Sequence, residues 1–115
     1  MDCTFCKIIA GQLPAEIVYQ DDRAIIFKDH WPKAPIHLLV CTKKHFPTFL
    51  ETPPDEMDYL LKLCRALADN LKVANGFRLQ INNGPESGMI VSHLHIHFLS
   101  WIGDPRFEKL ELETD

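Results

Sequence analysis

No apolar run in this sequence approaches the ~18 residues that a membrane-crossing helix needs, so a bilayer-spanning reading is the first to go. Positive charge is also short. Twelve Lys and Arg stand against sixteen Asp and Glu, a formal net charge of −4. A chain with that balance has no general pull toward nucleic-acid backbones or anionic membranes, and any phosphate it binds must be held by a local site. The opening MDCTFCKIIAG has neither the basic flank nor the long apolar core of a signal peptide, so the expectation is a cytoplasmic protein. In a reducing compartment the four cysteines, Cys3, Cys6, Cys41 and Cys64, read as thiols or metal ligands rather than a disulfide framework. Repeats, low-complexity tracts and linkers are missing too. Nothing divides the chain, and its 115 residues suffice for one core, giving a single domain over 1–115.

What remains is the composition of a soluble globular protein, 46% hydrophobic and 24% charged. CTFCKIIAGQ reads as a short turn or helix. EIVYQDDRAIIFKD reads as a hairpin turning at Asp21-Asp22. DHWPKAP is a loop kept irregular by Pro32 and Pro35. IHLLVCT follows as a strand, with His37, Leu39 and Cys41 on one face and Ile36, Leu38 and Val40 on the other. A long amphipathic helix is expected after Thr52 as N-cap, with Pro53 at its first position and a stripe of Met57, Leu60, Leu61, Cys64, Leu67, Ala68 and Leu71; Gly76 would stop it. FRLQIN reads as a further strand, and the tail WIGDPRFEKLELETD is expected to fray. Hairpins around one inserted helix argue for an α+β fold: an antiparallel sheet of about five strands, one long helix and one short.

The densest chemistry lies in HLHIHF, residues 93–98, where His93, His95 and His97 alternate with Leu94, Ile96 and Phe98. In a strand this spacing puts the imidazoles on one, outward, face and the apolar groups on the other. A three-histidine catalytic zinc site fits poorly. Same-face neighbours sit roughly 6.6 Å apart along a strand, a long reach for three bonds of about 2 Å to one ion. The preceding NNGPESGMIVS supplies Asn82, Gly84 and Gly88, an amide and two flexible backbone positions suited to an oxyanion beside the imidazoles. A neutral imidazole held at its other nitrogen can attack phosphorus, while its neighbours steady charge. The separate Cys3-x-x-Cys6 reads as a redox pair, as incidental thiols, or as half of a zinc site needing two histidines.

His93-Leu94-His95-Ile96-His97-Phe98-Leu99 matches the signature of the histidine-triad superfamily, and CTFCKIIAGQLPAEIVYQDD, DHWPKAPIHLLVCTKKH and NNGPESG extend the match over about residues 3–100, leaving 101–115 as a tail. The chain resembles the superfamily's Hint-like branch, in its bacterial form with an N-terminal CxxC. The resemblance implies a homodimer that hydrolyses or transfers nucleotides, acting on nucleoside phosphoramidates or mixed nucleoside phosphoanhydrides through a nucleotidyl-histidine intermediate. It makes His95 the nucleophile, His97 the phosphate contact, His37 its support, and Asn82 and Gly88 the phosphate-loop contacts. It puts Asp29 on the ribose hydroxyls, and Phe5, Ile8 and Phe27 against a base, expected to be a purine. The last three also read as ordinary core. His30 falls where the family often packs the base with an apolar residue. Met89 and Ile90, the latter beside the substrate, replace the Gln and polar residue that the family commonly carries. Family members also pair the CxxC with the positions of His45 and His93, which implies one structural zinc on Cys3, Cys6, His45 and His93. No organic cofactor is expected. Dinucleoside polyphosphate hydrolysis, or a non-catalytic purine-nucleotide-binding module, are the alternatives.

Overall fold

Chain order runs α1 (Thr4–Ile9), β1 (Ile17–Gln20), β2 (Ala24–Lys28), β3 (Ile36–Thr42), α2 (Pro54–Asn70), β4 (Arg78–Gln80) and β5 (His95–Ser100), with a 3-10 turn at Pro85–Ser87. The structure is a computed structural model and describes residues 3–113. The five strands form one antiparallel sheet in the order β1-β2-β3-β5-β4, the α+β arrangement expected. No helix among the described residues is long and apolar enough to cross a membrane.

The β1–β2 hairpin turns where expected, because the Asp21 carboxylate caps the turn. One oxygen accepts the N–H groups of Arg23 at 2.8 Å and Ala24 at 2.9 Å, an aspartate turn. The other accepts the hydroxyls of Tyr19, at 2.7 Å, and of Tyr59 on α2, tying hairpin to helix. β3 lies in the middle of the sheet and all seven of its residues are buried. Alternation divides them as expected. Ile36, Leu38 and Val40 join Leu60, Leu63, Leu67, Ile96 and Phe98 in a core beneath α2. Leu39 and Cys41 join Phe5, Ile8, Ile25 and Phe27 in a second core beneath α1.

Four sequence expectations need correction. First, the histidine strand begins at His95, not His93, and its imidazole face is covered rather than outward: His95 is 8% exposed and His93 fully buried. Helix α1 packs on that side, with the Phe5 ring centred 4.9 Å from His95 and 5.8 Å from His93. Second, α2 is capped by Pro53, while the Thr52 hydroxyl instead donates to the Thr48 carbonyl at 2.7 Å. Leu63 is fully buried and Leu61 faces outward, so the apolar stripe is rotated from the one expected. The helix stops well before Gly76. Lys72 takes a left-handed conformation (φ 59°), and Lys72 and Val73 donate back to Asp69 at 3.1 Å and Ala68 at 3.0 Å, a Schellman closure held by the burial of Val73.

Third, β4 is shorter than FRLQIN, spanning Arg78–Gln80 alone: its last pair is Gln80 with His97, and beyond it the chain leaves β5 for the loop in which Asn82 bonds Ser87. Fourth, the C-terminal segment does not fray over its described residues. It forms no regular element, yet Phe107, Leu110 and Leu112 pack on the core, and Leu110 N–H donates to the Val18 carbonyl at 2.8 Å. The open edge of β1 supplies the partner that the sequence pattern did not reveal. Gly103 makes the bend into this segment possible. Its φ is +89°, and a Cβ there would lie 2.6 Å from Val73 Cγ1.

Candidate functional site

The α1 side of the sheet holds a cavity of about 800 Å³. Every residue expected to be catalytic or substrate-binding lines it: His37, His95, His97 and Asn82, with Phe5, Ile8, Phe27, Asp29, His30, Gly88 and Ile90. Phe5, Ile8 and Phe27 are at once core and cavity floor, with Phe5 set edge-on to Phe27 at 5.2 Å. At the mouth, Trp31 is 78% and Ile90 96% exposed.

Hydrogen bonds assign each imidazole a tautomer. A carbonyl oxygen can only accept, so the 2.6 Å contact of His95 Nδ1 with the His93 carbonyl puts the proton on Nδ1 and leaves Nε2 as a lone pair. His37 Nδ1 accepts the Lys33 N–H at 3.0 Å, so neutral His37 carries its proton on Nε2 and donates it to His97 Nδ1 at 2.9 Å. His97 in turn has its own proton on Nε2. The Asp29 carboxylate lies 3.4 Å from the same His37 nitrogen and also accepts the Trp31 N–H at 2.7 Å. Asp29, His37 and His97 lie close enough together to suggest a cation site. A metal on His37 Nε2 would have to displace the proton that Lys33 fixes there, so the trio suits a proton-ordered relay better than an ion.

Burial holds all of these rings neutral. It pushes His95 below its ordinary value of 6.5, against the opposing pull of the His93 carbonyl and Asp29. His37 is lowered in the same way, chiefly by burial and less by Lys33 and His95, with Asp29 opposing. His97 falls to about 4, through burial first and then the neighbouring imidazoles. Asn82 braces the loop: its amide donates to the Ser87 carbonyl at 2.8 Å and accepts from Gln80 at 3.0 Å. Gly88, at φ +91°, closes that turn.

A second cluster lies apart from the cavity wall. Cys3, Cys6, His45 and His93 bring their ligand atoms within 4.8 Å of one another. His45 Nδ1 is 3.1 Å from His93 Nδ1 and 3.3 Å from Cys6 Sγ, while His93 Nδ1 is 3.5 and 3.6 Å from the sulfurs of Cys3 and Cys6. A tetrahedral zinc with bonds of about 2.05 Å to nitrogen and 2.3 Å to sulfur sets its ligand atoms about 3.3–3.8 Å apart. The four residues fit such an ion. His93 Nε2 donates to the Thr42 carbonyl at 2.7 Å, which leaves Nδ1 as the ligating lone pair. Burial and the adjacent Cys3 sulfur push the Cys6 thiol up, a repulsion that a bound cation removes.

The HIT domain family model matches residues 10–101 of this chain. The chain belongs to the HIT family. An uncharacterised HIT-like protein of Synechocystis sp. is 43% identical over 101 residues, covering 85% of this chain and 89% of that protein. Among solved structures, a HIT family hydrolase from Legionella pneumophila superposes with a TM-score of 0.81 at 35% identity, covering 86% of this chain and 92% of that one. A zinc-bound histidine-triad family protein from Mycobacterium smegmatis gives 0.77 at 28% identity, covering 96% and 84%. Within this HIT chain, three cavity or cluster contributors were not singled out from the sequence: the Lys33 N–H and the Thr42 carbonyl act through backbone atoms, and Gln80 reaches the site by pairing opposite His97 in the sheet. For Gln80 alone, its place on the polar side of FRLQIN was a usable clue.

Proposed function

We propose that this HIT protein is a nucleotide hydrolase or transferase in which His95 Nε2 attacks the α-phosphorus of a nucleoside phosphoramidate or mixed phosphoanhydride. The observation that carries the reading is the His95 Nδ1 to His93 carbonyl bond of 2.6 Å. It orients a neutral nucleophile before substrate arrives, and the same bond stabilises the imidazolium formed when phosphorus is attached. His97 offers an N–H donor to the phosphate, its proton kept on the correct nitrogen by Lys33 and His37 in series. The apolar floor suits a purine, and Asp29 suits the ribose hydroxyls. The hydrolase from Legionella supports the enzymatic reading. In the test, an adenosine phosphoramidate labelled at phosphorus is mixed with wild type and His95→Ala and quenched. The wild type should carry label on a histidine. The variant should carry none and lose turnover by about 10³-fold or more, while still binding nucleotide. Label retained in the variant would end the assignment.

Zinc on Cys3, Cys6, His45 and His93 belongs to the same proposal, supported by the tetrahedral fit and the zinc-bound relative. With four protein ligands it leaves no open position for water, so its part is to fasten α1 to the start of β5. The protein is also proposed to be a homodimer, supported by the open edge of β4 and the exposed Phe77, Leu79, Ile81 and Trp101 beside it. A monomeric mass by light scattering at micromolar concentration would contradict that.

A further inference from the structure

The Cys3-x-x-Cys6 pair reads from the sequence as a redox pair or as zinc ligands, and its geometry serves both. Cys3 is the N-cap of α1 and Cys6 lies in the helix's first turn, where the Cys6 N–H donates to the Cys3 sulfur at 3.3 Å. The two sulfurs lie within 4.8 Å of each other. The cluster around them is covered unevenly. Cys3 is 6% exposed and His93 fully buried, whereas Cys6 and His45 are half-buried. The other two thiols are enclosed, Cys41 in the core beneath α1 and Cys64 in the core beneath α2, where burial pushes Cys64 up to about 12. Cys6 is therefore the most accessible thiol of the described chain, and Cys3 stands directly behind it.

We propose that Cys6 is a modification site for hydrogen peroxide, with Cys3 as its resolving partner, so that oxidation of the pair releases the zinc and unfastens α1 from the nucleotide cavity. The inference rests on the zinc reading above and adds a second state to that site. Bound to the ion, both sulfurs are thiolates, the form that reacts with peroxide. The Cys6 thiolate attacks one peroxide oxygen: the S–O bond forms, the O–O bond breaks, and the departing hydroxide takes a proton to become water. The Cys3 thiolate then attacks that sulfur. The S–S bond forms, the S–O bond breaks, and the second hydroxide takes another proton to leave as water. Two thiolates have lost two electrons and one peroxide has gained them. Sulfurs on a tetrahedral ion sit about 3.8 Å apart and those of a disulfide about 2.05 Å, so ion and disulfide exclude each other, and two imidazoles are too few to keep the metal. The consequence falls on substrate binding rather than on attack. Helix α1 carries Phe5 and Ile8 in the cavity floor, and the Phe5 ring is centred 4.9 Å from His95. The bond that orients His95 goes to the main-chain carbonyl of His93, which oxidation leaves in place.

In the test, protein purified without chelator is exposed to a small excess of hydrogen peroxide, and zinc release, free thiols and peptide masses are followed together. One zinc should leave for every two thiols lost, the peptide holding Cys3 and Cys6 should become lighter by two hydrogens, and reductant with added zinc should reverse both. The oxidised protein should show a KM for adenosine 5′-phosphoramidate raised about tenfold with kcat nearly unchanged, the pattern of binding lost equally from ground and transition states. Dimedone, which captures sulfenic acids, should label Cys6 in Cys3→Ser and should not label Cys3 in Cys6→Ser. The wild-type readouts do not depend on how those variants fold. Zinc retained with both thiols intact, oxidation confined to Cys41 or Cys64, dimedone on Cys3 instead of Cys6, or an unchanged KM after full zinc release overturns the inference and leaves the zinc reading standing. Untreated protein without zinc ends the zinc reading, and this inference falls with it.

Discussion

His93, His95 and His97 are the same side chain set to three tasks by what each second nitrogen touches. The Thr42 carbonyl turns the Nδ1 lone pair of His93 toward two cysteines, the His93 carbonyl frees Nε2 of His95, and His37 makes His97 a donor. The lowered values carry a pH signature. The unfolded chain takes a proton on His97 near 6.5, whereas the folded chain waits until about 4. Stability from this group is therefore complete above 6.5 and declines as pH falls toward 4. Urea midpoints measured across that range should fall less steeply in His97→Gln than in wild type; parallel curves would count against the assignment. For His95, also lowered, the acid limb of kcat/KM should have its midpoint below 6.5. The alternation of the three histidines was legible in the sequence, as were Asp29 and the CxxC. Their tautomers were not, because main-chain groups of His93, Thr42 and Lys33 set them, directly or through His37, and a main-chain group leaves no mark in the residue type.

At the level of elements, periodicity was the reliable signal and boundaries were not. The parity of β3 could be read directly, since alternation needs no partner to be seen. The end of α2 could not, since the chain stops it with buried Val73 and a left-handed Lys72 in place of the expected glycine. That choice leaves strain to remove. Lys72→Gly should raise stability by about 0.5–1 kcal/mol, because glycine reaches φ > 0 without a Cβ clash. Denaturant unfolding with unchanged m-value checks this, and a lower midpoint would argue against the closure described. The C-terminal segment escaped sequence reading for a related reason. Phe107, Leu110 and Leu112 follow neither helical nor strand spacing, and only the exposed edge of β1 explains their placement.

For the whole molecule, the proposed zinc and the proposed nucleophile meet at one residue, with His93 giving its ring to one and its carbonyl to the other. Cys6→Ala should lower metal content to a fraction of wild type and reduce Tm by several degrees, since a ligand lost from a structural site removes folding free energy. Measurable turnover should remain, because the carbonyl is main chain. Metal analysis and calorimetry on protein purified without chelator decide the matter: equal zinc in both proteins, or none in wild type, would refute the site.

The register that joins Cys41 to His95 and Leu39 to His97 has a consequence in time rather than in space. These partners are neighbours in the sheet, yet α2 and β4 both lie between them along the chain. Pairing β3 with β5 therefore requires a long loop to close, an entropic cost met only once the helix can pack beneath both strands. The pairing of β3 with β5 is what brings His37 and His95 to one face of the sheet. The proposed site is thus assembled only when β3 and β5 pair, and protection of the β3 and β5 amides against hydrogen exchange should track the global opening.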